Sequence, residues 1–74
     1  MRIKFDELIK GEKMTKLSLA DEMFQKGLFK SRKSAINMIN YHINGKAKSA
    51  DWELLKYLCA RFNKQGAEII EWDN

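Results

Sequence analysis

Four stretches of this chain repeat apolar residues at the spacing of one helix face, and no proline interrupts them. Side chains three and four positions apart lie on the same side of an α-helix, so each stretch predicts a helix with one buried side. The residues expected to be buried are Phe5, Leu8 and Ile9, then Leu19, Ala20, Met23 and Phe24, then Ile36, Ile39 and Ile43, and finally Leu54, Leu55, Leu58 and Phe62.

Residues that start and stop helices divide these stretches. A hydroxyl side chain can accept a hydrogen bond from a backbone N–H of the first helical turn, and such N-caps are expected for the last three helices at Thr15, Ser31 and Ser49. Glycine adopts the left-handed conformation that ends helices, and such ends are expected at Gly27 and after Asn44 at Gly45. Gly11 is expected to limit the length of the first helix. The first helix is therefore expected over about residues 5–12, and "NKQG" should end the fourth.

Two short segments at the termini have strand character. "RIKF", residues 2–5, alternates basic and apolar side chains, and "AEIIEW", residues 67–72, contains β-branched residues. Each segment is expected to form a short strand. The prediction is an all-α domain of four to five helices, with these short terminal strands as an option, spanning residues 1–74 as one unit.

The chain length and the single cysteine limit the class of protein. A chain of 74 residues has only a small core, so a homodimer is expected. Cys59 has no partner for an internal disulfide, which fits a reducing cytoplasm. No apolar run approaches the ~20 residues that span a bilayer, and the charged N-terminus is not a signal peptide. A cytoplasmic protein that makes no membrane contact is predicted.

The charges are unevenly distributed along the chain. Residues 23–50 contain six Lys or Arg and no Asp or Glu, whereas only acidic charges follow Lys64. A basic middle and an acidic tail indicate one surface that binds a polyanion and another that is turned away from it. A solvated basic face without a partner is the alternative.

Enzyme chemistry has little support in the sequence. His42 is the only histidine and Cys59 the only cysteine, so zinc would lack ligands, and a Cys-His nucleophile is less well supported than a small core thiol. The acidic residues are scattered and no glycine-rich phosphate loop is present. We therefore expect no catalytic residues, no metal, no cofactor and no small-molecule substrate.

The third helix is where a binding surface is expected. Opposite its isoleucines it carries Ser34, Asn37, Met38 and Tyr41, with Lys30 just before it. Asn and Ser are poor helix formers, so an exposed face without a partner would favour Glu, Lys, Gln or Ala. Amide and hydroxyl groups hydrogen-bond base edges and phosphates, so this face predicts nucleic-acid binding. An ordinary polar helix face is the alternative.

Three stretches resemble the Cro/C1-type helix-turn-helix family of phage repressors and related bacterial regulators. "KMTKLSLADEM", Lys13–Met23, is similar to the start of that family's second helix. "KSAIN", Lys33–Asn37, resembles the start of a recognition helix, and "NGKAKSADWELLKYL", Asn44–Leu58, resembles the segment that follows it. The resemblance covers about residues 5–62, with the helix-turn-helix itself at about 15–45.

The resemblance implies a repressor-like transcriptional regulator, of phage or mobile-element type, that binds double-stranded DNA with its third helix in the major groove. The residues expected to contact bases are Lys33, Ser34, Asn37, Met38 and Tyr41. The residues expected to contact phosphates are Lys16, Lys30, Arg32, Lys46 and Lys48.

The spacing departs from the family, and other interpretations stay open. Ala20 and Ile36 are separated by more residues than the family's corresponding pair, so the turn "QKGLFKSR" is long. "GLFKSRKSA" followed by "INGK" also resembles an S4-like RNA-binding module, although that module needs strands where "DWELLKYLCARF" predicts a helix. "SRKSAI" resembles ribbon-helix-helix regulators, with "RIKF" as a misplaced ribbon. A helical protein-interaction domain, such as an antitoxin or adaptor, is the remaining alternative.

Overall fold

Five helices follow one another between two short strands in a computed structural model that describes residues 1–47 and 50–72. In chain order the elements are β1 (Arg2–Ile3), α1 (Phe5–Gly11), α2 (Lys16–Gln25), α3 (Arg32–Ile43), α4 (Trp52–Phe62), α5 (Gly66–Ile69) and β2 (Ile70–Glu71). The predicted small, mainly helical fold with terminal strands is therefore confirmed. None of the helices in the described ranges is long and apolar enough to cross a bilayer.

Two of the three predicted N-caps are present. The Thr15 side chain accepts from the backbone N–H of Ser18 at 3.1 Å, and Ser18 caps Thr15 in return. Ser31 accepts from the N–H of Ser34, also at 3.1 Å. The prediction for the fourth helix is wrong, because Asp51 is the N-cap and accepts from the N–H of Glu53 at 2.8 Å. Its carboxylate suits the positive end of the helix dipole, and Ser49 lies outside the described residues.

The ends of α2 and α3 are closed by the same motif. Gly27 has φ 79° and Gly45 has φ 72°, both in the left-handed region that glycine adopts without strain. After each glycine the next N–H bonds back to the helix, from Leu28 to the carbonyl of Met23 and from Lys46 to that of Tyr41. These are Schellman closures, and both glycine stops predicted for these helices are confirmed.

The core lies between the helices and the sheet, and α2 and α3 pack most extensively. On α3 the predicted buried stripe was rotated. Ile39 is fully buried, but Ile36 and Ile43 are only half-buried, and the other fully buried positions are Ala35 and His42. The other fully or almost fully buried side chains are Ile3, Phe5, Leu8, Leu19, Ala20, Met23, Leu54, Leu58 and Ile69.

The terminal strands pair with each other within one chain. Arg2 pairs with Glu71 and Ile3 with Ile70 in antiparallel register, and the N–H of Lys4 donates to the carbonyl of Ile69 at 2.8 Å. The strand predicted over residues 67–72 is too long, because Gly66–Ile69 forms α5. The side chain of Glu68 accepts from the N–H of Gln65 at 2.8 Å, and this cap stabilises the helical turn.

Candidate nucleic-acid interface

One side of α3 is exposed and polar over its whole length. Ser34, Asn37 and Tyr41 are exposed, as predicted, and Tyr41 keeps 54% of its surface in solvent. These side chains lie opposite Ala35, Ile39 and His42 because a turn takes 3.6 residues. The burial of one side of α3 against the core therefore sets which side is presented outward.

Three asparagines make up most of the second half of this exposed side. An open cleft of about 320 Å³ is lined by Asn37, Asn40, Tyr41, Asn44 and Lys46. Asn40 and Asn44 were missed by the sequence analysis, although their positions three and seven after Asn37 place them on the same side of a helix. Within the described part of the chain, the side-chain amides of Asn37 and Asn44 make no hydrogen bond. We call Ser34, Asn37, Asn40, Tyr41 and Asn44 the polar face of α3.

Lys16 connects the start of α2 to this face. Its Nζ donates to Oδ1 of Asn40 at 3.0 Å. An ammonium group only donates hydrogen bonds, so the atom that it contacts is the amide oxygen and the NH₂ group of Asn40 points elsewhere. Lys16, expected to contact a phosphate, keeps two further N–H donors with which to do so.

The other predicted cationic contacts are placed at both ends of α3. Lys30 and Lys33 are exposed around its first turn, and Lys46 is exposed just after its last turn. Lys48 lies outside the described residues. Exposed lysines therefore lie near both ends of the polar face, where they add positive charge.

Arg32 and Met38 lie outside the polar face. The Arg32 guanidinium forms an ion pair with Asp21 and lies 4.7 Å from the centre of the Phe24 ring. Met38 is half-buried and lines a cleft of about 660 Å³ together with Leu28 and Leu54. The sequence analysis placed Met38 among the base-contacting residues, but its position about 100° around the helix from Asn37 turns it toward the core.

His42 attaches the end of α3 to the terminal sheet. Its fully buried imidazole accepts a hydrogen bond from the backbone N–H of Ile3 through Nδ1 at 2.9 Å. The Phe5 ring packs edge-on against it, with 5.5 Å between the two ring centres. Burial, aided by the positive charges of Arg2 and the N-terminus, lowers the pKa of His42. The ring is therefore neutral with its proton on Nε2, which has no hydrogen-bond partner in the described residues. The burial of His42 was not predicted from the sequence.

Away from the polar face, Arg61 lies among carboxylates. Arg61 of α4 donates to Glu22 at 2.7 Å and to Glu12 at 3.3 Å, which raises the pKa of Arg61. A second cleft, of about 360 Å³, is lined by Lys4, Glu7, Leu8, Gly11, Glu12, Phe62, Lys64 and Glu68. Within residues 1–47 and 50–72, no three His, Cys, Asp or Glu side chains are grouped to hold a metal ion.

Comparisons with protein-family models, with curated proteins and with solved structures find no match to this chain. Function is therefore inferred from the chain's own residues.

Proposed function

We propose that this chain is a sequence-specific, double-stranded DNA-binding protein that acts in the cytoplasm as a repressor-like transcriptional regulator of phage or mobile-element type. The observation that carries the proposal is the polar face of α3, with lysines at both of its ends. In this proposal α2 and α3 form a Cro/C1-like helix-turn-helix and the polar face enters the major groove.

The composition of the polar face supports a partner. Asn and Ser each cost up to about 0.7 kcal/mol relative to Ala inside a helix, and the face contains Ser34, Asn37 and Asn40 within α3. No hydrogen bond within the described chain occupies the Asn37 amide. Amides that are costly to the helix and remain unpaired fit a surface that pairs with base edges.

The connection between α2 and α3 differs from the usual helix-turn-helix. Six residues, 26–31, separate the two helices, whereas three to four are typical of the motif. The extra residues are packed against the protein, because Leu28 and Phe29 are half-buried beside the core. The long turn is thus held in place, and its last residue, Ser31, donates to the hydroxyl of Ser34 at 3.1 Å.

The S4-like and ribbon-helix-helix alternatives have less support. An S4-like module requires strands after the third helix, but Trp52–Phe62 forms α4. In the ribbon-helix-helix alternative the strand should lie one helix before the Ser-Arg pair, and here α1 and α2 both intervene after β1.

The direct test compares binding to random duplex DNA and to single-stranded RNA of equal length, at about 50 and 200 mM salt. We expect the duplex to bind better, and log affinity to fall by roughly 0.9 per phosphate contacted for each unit of log salt. Lys46→Ala should reduce that slope by about one unit. Lys64→Ala is the matched control, because Lys64 lines the cleft that also contains Glu12 and Glu68. Affinity that does not change with salt would refute the proposal.

An apolar groove on α4 supports the homodimer that we propose. Trp52, Leu55, Cys59, Ala60 and Ile70 line it together with Lys56 and Gly66, and its volume is about 590 Å³. Trp52 is 70% exposed, and Trp72, just beyond β2, is 64% exposed. Exposed tryptophans of this kind are enriched at protein interfaces. The groove shares no residue with the polar face, so a second copy and DNA have separate surfaces to bind.

The same groove favours the second candidate function, a helical protein-interaction domain of antitoxin or adaptor type. Sedimentation velocity separates the two. We expect the wild type to be a dimer, Trp52→Arg to be a monomer, and Leu17→Arg to remain a dimer, because Leu17 is equally exposed, at 72%, but lies on α2. A monomeric wild type that binds no duplex DNA would favour the interaction domain instead.

A further inference from the structure

We infer that the polar face of α3 recognises an A·T-rich half-site, an inference that rests on the proposed DNA-binding function. The base that a protein prefers in the major groove follows from the side chains that it offers there. Arg paired with guanine is the commonest specific contact, Asn pairs with adenine, and apolar surface contacts the thymine methyl group. The polar face offers asparagines and an aromatic ring, and it offers no arginine.

The asparagines are spaced to reach neighbouring base pairs within one short stretch of the groove. Asn37, Asn40 and Asn44 occupy one side of the helix, and at 1.5 Å per residue they span about 10 Å along its axis. Successive base pairs are about 3.4 Å apart along the DNA axis, so the row of asparagines covers about three base-pair steps. The Asn37 and Asn44 amides are unpaired in the described chain, and each has the acceptor and donor that match N6 and N7 of adenine.

Asn40 has a narrower role because Lys16 occupies its amide oxygen at 3.0 Å. Its NH₂ group remains as the donor, which fits an acceptor such as adenine N7 or thymine O4. Lys16 is a positioning residue in this arrangement, since it fixes which end of the amide faces outward.

Tyr41 lies between the asparagines and supplies apolar surface. Tyr41 lines the same cleft, and the residue is 54% exposed. Such a surface in the major groove suits the C5-methyl group of thymine, the one apolar group on a base edge there. An adenine read by an Asn amide is paired with a thymine whose methyl group lies in the same groove, so the two kinds of contact reinforce each other.

Guanine recognition is disfavoured at the centre of the face. Arg32, the only arginine in residues 23–50, is ion-paired with Asp21 and lies over the Phe24 ring. To reach a base it would have to leave both partners. Lys33 is exposed beside the first turn of α3, so any contact with guanine would be confined to that end of the half-site.

The first experiment selects binding sites for the full-length chain from a random duplex library. We expect an enriched half-site with at least two adjacent A·T pairs at its centre. A G·C-rich centre, or duplex binding without any enriched sequence, would overturn the inference and leave DNA binding itself in place. Absence of duplex binding would refute the proposed function as well.

The second experiment tests individual atoms on the selected site. Replacing the central thymine by uracil removes one methyl group, which should weaken binding of the wild type and of Tyr41→Phe but not of Tyr41→Ala. Replacing the central adenine by 7-deazaadenine should weaken wild-type binding, with little further loss in Asn37→Ala. Asn37→Ala and Asn44→Ala should each lose about 5- to 150-fold in affinity for the site and little for random duplex.

Gln25→Ala is the matched control, because it removes an exposed amide from the end of α2. It should leave affinity and base preference unchanged. Equal losses in wild type and Tyr41→Ala on uracil substitution would overturn the assignment of Tyr41. Unimpaired binding by both asparagine variants would overturn the assignment of the amides.

Discussion

The hydrogen bond between His42 and β1 makes a specific prediction about stability and pH. Ile3 donates its backbone N–H to Nδ1 of His42 at 2.9 Å, and both residues are fully buried. His42→Phe keeps a ring of similar size but removes the acceptor, so the Ile3 N–H is left buried and unpaired. Such a group costs about 1–3 kcal/mol. For a domain of this size, about 4–8 °C of Tm is lost per kcal/mol.

The pH dependence follows from the lowered pKa of His42. Burial and the nearby charges of Arg2 and the N-terminus disfavour the protonated ring in the folded state, so below about pH 6.5 the unfolded state binds more protons. The free energy of unfolding therefore falls as the pH falls below that value. Protonation of Nδ1 also removes the acceptor that Ile3 uses.

Thermal and urea unfolding at several pH values between about 5 and 7.5 measure both effects, in a range where ordinary Asp and Glu side chains stay largely ionised. We expect the free energy of unfolding of the wild type to decrease toward the acidic end of this range. The free energy of unfolding of His42→Phe should be lower than that of the wild type and should change less with pH. Wild-type stability that is constant or rises on acidification would refute the role given to His42. Equal pH slopes for the two proteins would do the same.

Three further substitutions test the core, the polar face and the end of α1. Ile39→Ala should lower the free energy of unfolding by about 2–5 kcal/mol, because Ile39 is fully buried. Asn37→Ala should leave that free energy unchanged or raise it by a few tenths of a kcal/mol through helix propensity. If urea unfolding shows Asn37→Ala to be less stable than Ile39→Ala, the exposed side of α3 is wrongly assigned. Lys13→Gly should stabilise the domain by up to about 1 kcal/mol, because Lys13 holds φ 54° after α1 and glycine adopts this conformation without strain; a lower Tm for this variant would contradict that reasoning.

Features that depend on neighbours in the sequence were predicted well. The caps at Thr15 and Ser31 and the glycine end at Gly27 each involve hydrogen bonds across a few residues, so the sequence contains the whole interaction. At the fourth helix the cap was expected at Ser49, whereas Asp51 is the N-cap.

Features that depend on distant residues were not predicted. The burial of His42 depends on Ile3, 39 positions earlier, and nothing beside His42 in the sequence indicates a backbone donor. The β-branched Ile69 and Ile70 favoured a strand over residues 67–72, but the cap between Gln65 and Glu68 makes the first part of that segment helical. From the sequence, Arg32 was expected to contact a phosphate, and nothing near it in the sequence indicated that folding brings Asp21 beside it.

The attachments of α3 have a consequence for the function that we propose. In the middle of the helix, Ile39 is buried in the core. In the first turn, Arg32 contacts Asp21 and the Phe24 ring. In the last turn, His42 accepts the hydrogen bond from Ile3. A helix held at three points presents its side chains in one orientation, so little conformational freedom is lost on binding. His42→Phe should therefore reduce stability while the remaining folded protein still prefers the same DNA sequence. Arg32→Ala should loosen the first turn, which the buried Ala35 still holds, and it should relax discrimination most at the base pairs nearest Lys33 and Ser34. A loss of discrimination spread evenly over the half-site would instead indicate that the helix moves as a whole.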